Sequence, residues 1–308
     1  MAREAAAVSG GLRVIAPAKI NWTLDVLRVR PDGYHELRSA LQTIDLHDTV
    51  TLAPADTISL EVGGPAAGML GDHPPEENLA YRAAAALARR AGLRRGARIT
   101  LEKRVPVAAG LGGGSSDAAA VLRGLNVLWD AGQPEANLVE IAAEVGSDPP
   151  FFVVGGTAIA SGRGEAIEAL ADALAPGILL ATPAEEHRGE KTAAMFRALT
   201  PDHYTEGDAT LGVRETVQSG RMIVDEDLNN AFERVVGQMQ PETERAMEAL
   251  RALGYVPHLA GAGPSFFLLY PGGADLAHEL SGRIRELGFE PRATHALRRE
   301  LALRIEDA

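Results

Sequence analysis

The 308-residue chain contains no cysteine. That excludes disulfides, thiolate metal centres and cysteine nucleophiles, and it suits a reducing compartment. Basic charge is in deficit: 30 Lys and Arg stand against 42 Asp and Glu, for a net charge of −12. This balance argues against general nucleic-acid binding. Any polyphosphate site must therefore be locally basic, and Lys19, Lys103, Arg104 and His35 are the candidates for that charge. No apolar run approaches the ~20 residues of a membrane span. The start, Met-Ala-Arg-Glu-Ala-Ala-Ala, lacks the apolar stretch of a secretory signal, so the cytoplasm is the expected location. Neither an internal repeat nor a low-complexity tail is visible.

What is present is a glycine loop, Pro106-Val-Ala-Ala-Gly-Leu-Gly-Gly-Gly-Ser-Ser-Asp117, ahead of an alanine-rich helix. Glycine lacks a Cβ, so such a backbone can approach a ligand closely. The helix start adds unpaired N–H groups and the positive end of the dipole, which together cradle phosphate. Ser115 and Ser116 can cap the helix or offer hydroxyls to a phosphate. The loop is not a Walker A loop, because no lysine follows the glycines. Nor is it a dinucleotide fingerprint, because Ser115 stands where the third glycine belongs.

At 308 residues, one large domain or two ordinary ones are expected. Residues 12–28 alternate as a half-buried strand, with Lys19, Asn21 and Thr23 opposite the apolar set Ile20, Trp22, Leu24 and Val26. Strands follow at 38–52 and 56–62, then a Gly/Pro-rich loop at 63–75. Asn78 caps a helix over 79–91 that Gly92 closes. A strand at 97–107 feeds the glycine loop, and helices are expected at 116–129 and 135–145. A strand at 151–159 holds Gly155-Gly156, a candidate bulge. The second half reads as strand 178–182, helix 190–198, polar loop 200–212, helices 227–236 and 241–253, strands 256–260 and 265–270, helix 274–287 and a final strand 293–305. Helices do not alternate strictly with strands, which favours α+β, divided into 1–165 and 166–308.

Taken alone, Lys19 is a solvated strand lysine, Asp148 a turn aspartate before Pro149, Lys103 an exposed strand residue and Asn78 a helix cap. Asp25, Asp32 and Glu36 fit no metal cage and read as surface residues. Tyr34 and His35 could merely close a loop, and Gly261-Ala-Gly-Pro-Ser265 could be a structural turn.

Several motifs in register change that reading. Ala16-Pro-Ala-Lys-Ile-Asn-Trp22, the glycine loop, Gly146-Ser-Asp-Pro-Pro-Phe-Phe152 and Leu259-Ala-Gly-Ala-Gly-Pro-Ser-Phe-Phe267 resemble, in order and spacing, the motifs of the GHMP kinases. Asp32-Gly-Tyr-His-Glu-Leu37 is similar to the signature of one branch, which acts on 4-diphosphocytidyl-2-C-methyl-D-erythritol. The resemblance spans about residues 12 to 270. It implies the two-domain GHMP kinase fold, with an N-terminal domain like the second domain of ribosomal protein S5 and a ferredoxin-like C-terminal domain. It also implies ATP-dependent phosphorylation of the substrate's 2-hydroxyl, in the non-mevalonate isoprenoid route.

Carried over residue by residue, the resemblance makes Asp148 the general base and Lys19 its electrostatic partner. Asn21 hydrogen-bonds the diol, Tyr34 stacks on cytosine and His35 bonds its edge. The nucleotide contacts are Pro106, Val107, Ala108, Ala109, Gly110, Leu111, Gly112, Gly113, Gly114, Ser115 and Ser116, with Asn78 and Lys103 around the purine. Mg²⁺ arrives with ATP and no dedicated metal ligands are assigned. Two positions depart from the pattern: Pro149 replaces a valine and Ala262 replaces a hydroxyl residue. The rivals are another GHMP kinase, whose substrate would offer Tyr34 no cytosine, and a silent anion-binding module or dinucleotide oxidoreductase.

Overall fold

The protein is described here as a computed structural model covering residues 10–70, 74–184, 191–272 and 274–308. The first half runs β1 (Leu12–Val29), β2 (His35–Ala55), β3 (Ile58–Gly63), α1 (Leu79–Ala91), β4 (Gly96–Glu102), α2 (Gly113–Leu128), α3 (Glu135–Val145), α4 (Pro149–Val154), β5 (Thr157–Gly162) and β6 (Ala166–Ala169). The second half runs β7 (Gly177–Pro183), α5 (Lys191–Ala198), α6 (Asp208–Gln218), β8 (Asn229–Asn230), α7 (Val236–Met239), α8 (Pro241–Ala252), β9 (Pro257–Leu259), β10 (Phe266–Tyr270), α9 (Ala274–Glu286), β11 (Phe289–Thr294), α10 (Arg299–Ala302) and β12 (Ile305–Asp307).

The long antiparallel pair β1–β2 organises an eight-stranded sheet in the order β12-β1-β2-β4-β3, with β5 on β2, β6 on β5 and β8 on β1. A second, antiparallel sheet runs β11-β7-β10-β9. That order, with α8 between β7 and β9 and α9 between β10 and β11, is the split βαβ arrangement of ferredoxin-like folds. The architecture is α+β, as expected.

Local chemistry explains the helix limits that matter for the site. Asn78 caps α1 by accepting from the Ala80 N–H at 2.9 Å, and Gly92 ends it in the left-handed region. α2 begins at Gly113, earlier than expected. Its N-cap is Gly112, at φ 73°, and no side chain caps it, so Ser115 and Ser116 lie in the first turn. Through Leu122 and its neighbours, α2 is packed into one core with Val14, Leu52, Leu87 and Ile99. Phe266, Phe289, Met247 and Leu250 form a second core beneath the smaller sheet. A third joins the two sheets through Ile20, Trp22, Ile44, Leu180 and Phe267. Trp22 meets Phe267 edge-on at 5.8 Å, and truncating either aromatic would cost about 3–5 kcal/mol.

Four expectations fail. In place of the helix expected at 227–236 the chain forms a 3-10 turn at Asp225–Asp227, the short strand β8, a 3-10 turn at Ala231–Arg234 and only then α7. Residues 149–154 are helical rather than the start of a strand, because Pro149 and Pro150 occupy the first helical positions, where a missing N–H costs nothing. Gly155 and Gly156, both at positive φ, then turn the chain into β5 and are not a bulge within it. The expected strand 293–305 breaks into the end of β11, α10 and β12. The polar segment 200–212 already contains the first turn of α6, and the loop at 63–75 holds short 3-10 turns at Ala67–Leu70 and at Pro75, with 71–73 outside the described residues.

Candidate active site

A cavity of about 1460 Å³ opens where β1, the glycine loop, α4 and α5 meet. It exceeds the roughly 300–1,000 Å³ of a pocket for one drug-sized ligand, so it has room for two. Lys19 and Asn21 from β1, Tyr34 and His35, Asn78, Lys103, Asp148 and the whole loop from Pro106 to Ser115 line it. Ser116 does not: its side chain is fully buried, and its hydroxyl has no partner among the described residues. Arg104 is also outside the lining and pairs with Glu102, so it adds no local charge there.

Lys19 is buried, not solvated. Its Nζ donates to Asn21 Oδ1 at 2.7 Å, and Asn21 Nδ2 donates to Ser39 Oγ at 2.7 Å. Burial pulls the Lys19 pKa below its ordinary value, while the negative charge of Asp148 works to raise it. Lys19 and Asp148 thus share one cavity, and the Asp148 charge acts on Lys19 without a contact ion pair. The outer edge of β1 is closed piecemeal around these residues. β12 pairs with Leu12–Val14, Leu111 O accepts from Lys19 N, Ala260 O accepts from Asn21 N (both 3.0 Å), and β8 pairs with Thr23 and Leu24.

The loop's glycines are needed mostly by the protein itself. A Cβ on Gly112 would sit 2.7 Å from the Phe152 ring, and one on Gly110 would sit 2.7 Å from Gly263 O. A Cβ on Gly261 would meet Lys19 Nζ at 2.7 Å, so the second glycine turn is moulded on the lysine. Gly113 faces Val105, not open space, at 3.0 Å. Gly114 is different: a Cβ there would meet only Leu79 Cδ1, at 3.8 Å. Among the described residues the N–H groups of Gly113, Gly114 and Ser115 have no backbone acceptor, as the first turn of a helix requires. An anion therefore has three free donors beside an open Gly114.

Lys103, which taken alone reads as an exposed strand residue and by the resemblance as a purine contact, is buried, and its ammonium is already committed. It donates to Asp48 and to Asp117, whose side chains are 0% and 3% exposed. Asp48 Oδ1 also accepts from the N–H groups of Arg104 and Val105. Burial disfavours the Lys103 charge, but the two carboxylates outweigh it and hold the pKa above normal. Burial, reinforced by Asp48 and opposed by Lys103, pushes Asp117 up to about 7. This triad lies beneath the start of α2 and no local motif announced it.

At the other end of the cavity, Tyr34 is 55% exposed and carries the Arg163 guanidinium 4.8 Å above its ring centre. The His35 ring stacks on Phe196 at 5.0 Å, and burial lowers its pKa. Phe196 and Arg163 are cavity residues that sequence reasoning missed. Asp25 is a correction. It is buried and accepts from Thr205, Thr210 and Asn229, a structural anchor and not a surface carboxylate.

Residues 78–156 match the GHMP kinases N terminal domain. The chain is 43% identical over 281 residues to the 4-diphosphocytidyl-2-C-methyl-D-erythritol kinase of Pelotomaculum thermopropionicum, covering 89% of this chain and 94% of that one. It belongs to the 4-diphosphocytidyl-2-C-methyl-D-erythritol kinase family. A member from Dehalococcoides mccartyi is 40% identical over 259 residues, covering 84% of this chain and 89% of its own. A crystal structure of a 4-(cytidine 5'-diphospho)-2C-methyl-D-erythritol kinase superposes with TM-score 0.72 at 34% identity, covering 92% of this chain and 98% of that one. Homoserine kinase from Cytophaga hutchinsonii shares the fold at TM-score 0.76 but only 15% identity, over 99% of this chain and 100% of its own. This member of the kinase family is thus an ATP-dependent small-molecule kinase.

Proposed function

We propose that the chain transfers the γ-phosphoryl group of ATP to the 2-hydroxyl of 4-diphosphocytidyl-2-C-methyl-D-erythritol, with Asp148 as general base. The observation that carries the residue assignment is that Lys19 and Asp148 line one cavity, with the Asp148 charge acting on Lys19, beside the free N–H groups of α2.

Asp148 takes the hydroxyl proton as the oxygen attacks phosphorus, and the bond to the ADP oxygen breaks. Lys19, held by Asn21, supplies positive charge at the attacking oxygen. The first turn of α2 holds phosphate oxygens, and the open face of Gly114 lets them approach. Asn78 and the backbone near Lys103 border the purine, while the Lys103 ammonium stays in its ion triad. Tyr34 and His35 read the cytosine by stacking and edge contacts. Mg²⁺, carried in with ATP, supplies charge neutralisation. Among the described residues no group of three or more His, Cys, Asp or Glu could hold a metal ion, so a bound Mg²⁺ would draw most of its ligands from phosphate oxygens and water.

The test is turnover and a double-mutant cycle. The purified protein should form ADP and the substrate's 2-phosphate, and faster turnover of mevalonate or homoserine would overturn the substrate assignment. Asp148→Asn should lower kcat at least about 100-fold. Lys19→Met should lower it too, and the double variant should be little worse than the worse single one. Fully additive losses would separate the two residues' roles.

A further inference from the structure

We propose that Arg163 binds the diphosphate of the cytidine substrate, a nucleoside-diphosphate ester of a polyol. The inference rests on the substrate reading above and adds a residue to it.

Position carries the argument. Arg163 sits in the tight turn between β5 and β6, closed by Gly164 N–H donating to Ser161 O at 3.1 Å, with Gly162 and Gly164 both at positive φ. One side of that turn meets the segment of the proposed base, since a Cβ on Gly164 would lie 3.9 Å from Ser147 Cβ. On the other side the Arg163 guanidinium lies over the Tyr34 ring. A substrate with its cytosine at Tyr34 and its 2-hydroxyl at Asp148 must span the gap between them. Its diphosphate is the part that joins these two ends, so it passes the turn that carries Arg163.

Charge points the same way. Among the described lining residues the lysines and arginines are Lys19, Lys103, Arg163 and Arg197. Lys19 is held by Asn21, and Lys103 is held by two carboxylates. Arg163 is held loosely: its Nε is 3.7 Å from Glu165 Oε1, Asp32 feels its charge without a contact ion pair, and its side chain is 38% exposed. The other Glu165 oxygen accepts the Arg163 backbone N–H at 2.6 Å. The two terminal guanidinium nitrogens therefore have no hydrogen-bond acceptor among the described residues, and guanidinium geometry suits bidentate phosphate binding. In a chain of net charge −12, an available arginine on a cavity wall is a specific resource for an anion.

Isothermal titration with CDP and with cytidine separates this role from simple support of the tyrosine. Wild-type protein should bind CDP more tightly than cytidine. Arg163→Ala should weaken CDP about tenfold, as expected for loss of a charge-assisted contact, and cytidine less than about twofold. Arg163→Lys should recover part of the loss, and the KM for the cytidine substrate should follow CDP affinity. ATP titrated into the same preparations verifies that they are folded. An equal loss for CDP and cytidine would mean that Arg163 only backs the Tyr34 ring, and no loss for either would remove it from the site; both overturn the proposal. A wild-type protein that favours CDP through Arg163 but fails to phosphorylate the methylerythritol substrate would overturn the substrate reading alone.

Discussion

Replacing Lys103 by methionine separates two uses of a lysine beside a nucleotide site. If the ammonium served ATP, its loss would raise the KM for ATP and leave the fold intact. The structure gives it a different occupation. Its side chain is 3% exposed and is bonded to two carboxylates that are themselves almost fully enclosed. Methionine fills much of the stem's volume but removes the charge, leaving Asp48 and Asp117 facing each other without a counterion. Breaking a buried ion pair by removing one partner costs about 3–5 kcal/mol, a large share of the roughly 5–15 kcal/mol that holds a domain folded. Urea denaturation followed by circular dichroism should show that loss. Adding Asp117→Asn to Lys103→Met should recover part of it, because Asn replaces a carboxyl that would have to be held protonated beside Asp48, while Asp48 keeps the N–H groups of Arg104 and Val105. A Lys103→Met protein within about 1 kcal/mol of wild type, with only its ATP affinity impaired, would refute this assignment.

Two further outcomes are expected. Asp117 holds its proton to about pH 7 in the folded state, against an ordinary value of 3.8. The folded state therefore binds more protons than the unfolded chain across that window, and this group's contribution to stability falls as pH rises, by about 1.4 kcal/mol per unit. Asp117→Asn should remove that component, so as pH rises from 5 to 8 the urea midpoints should move in favour of the variant; a difference between the two proteins that does not change with pH would show Asp117 ionised throughout. In the glycine loop, Gly112→Ala should lower thermal stability through the Phe152 clash and the positive φ, whereas Gly114→Val should leave the melting temperature nearly unchanged and weaken ATP binding by calorimetry. The reverse pattern would mean that the anion approaches Gly112.

The legible parts of this molecule were those specified locally. Period-two alternation marked β1, Asn78 and Gly92 bounded α1, and the loop from Pro106 to Asp117 declared an anion-binding helix start. Lys19 was legible only through the motif around it, since its alternation phase suggested a solvated face while β1 is buried on both faces. What could not be read was built from distant partners. Asp25 is buried by hydrogen-bond donors from Thr205, Thr210 and Asn229, far along the chain. The Asp48–Lys103–Asp117 triad gathers a strand, a strand end and a helix start. Phe196 and Arg163 carry no local pattern that marks them as cavity walls. The run Phe151–Val154 has strand-forming residues, yet two prolines ahead of it set a helix. The purpose of the glycines was legible only in part, because a Cβ at Gly110, Gly112 or Gly113 collides with the protein's own atoms rather than with a ligand.

The piecemeal outer edge of β1 has a bearing on biosynthesis. During synthesis β1 emerges first and can zip to β2 at once, but its other edge must wait. Leu111 is made next, then Asn229 and Asn230, then Ala260, and finally Ile305–Asp307. Until then a row of unpaired N–H and C=O groups is displayed, the kind of edge that recruits strands from neighbouring chains. The strand that bears Lys19 and Asn21 is thus exposed to misassembly on the ribosome, and its edge beside those two residues is closed only once Leu111 and Ala260 have been translated.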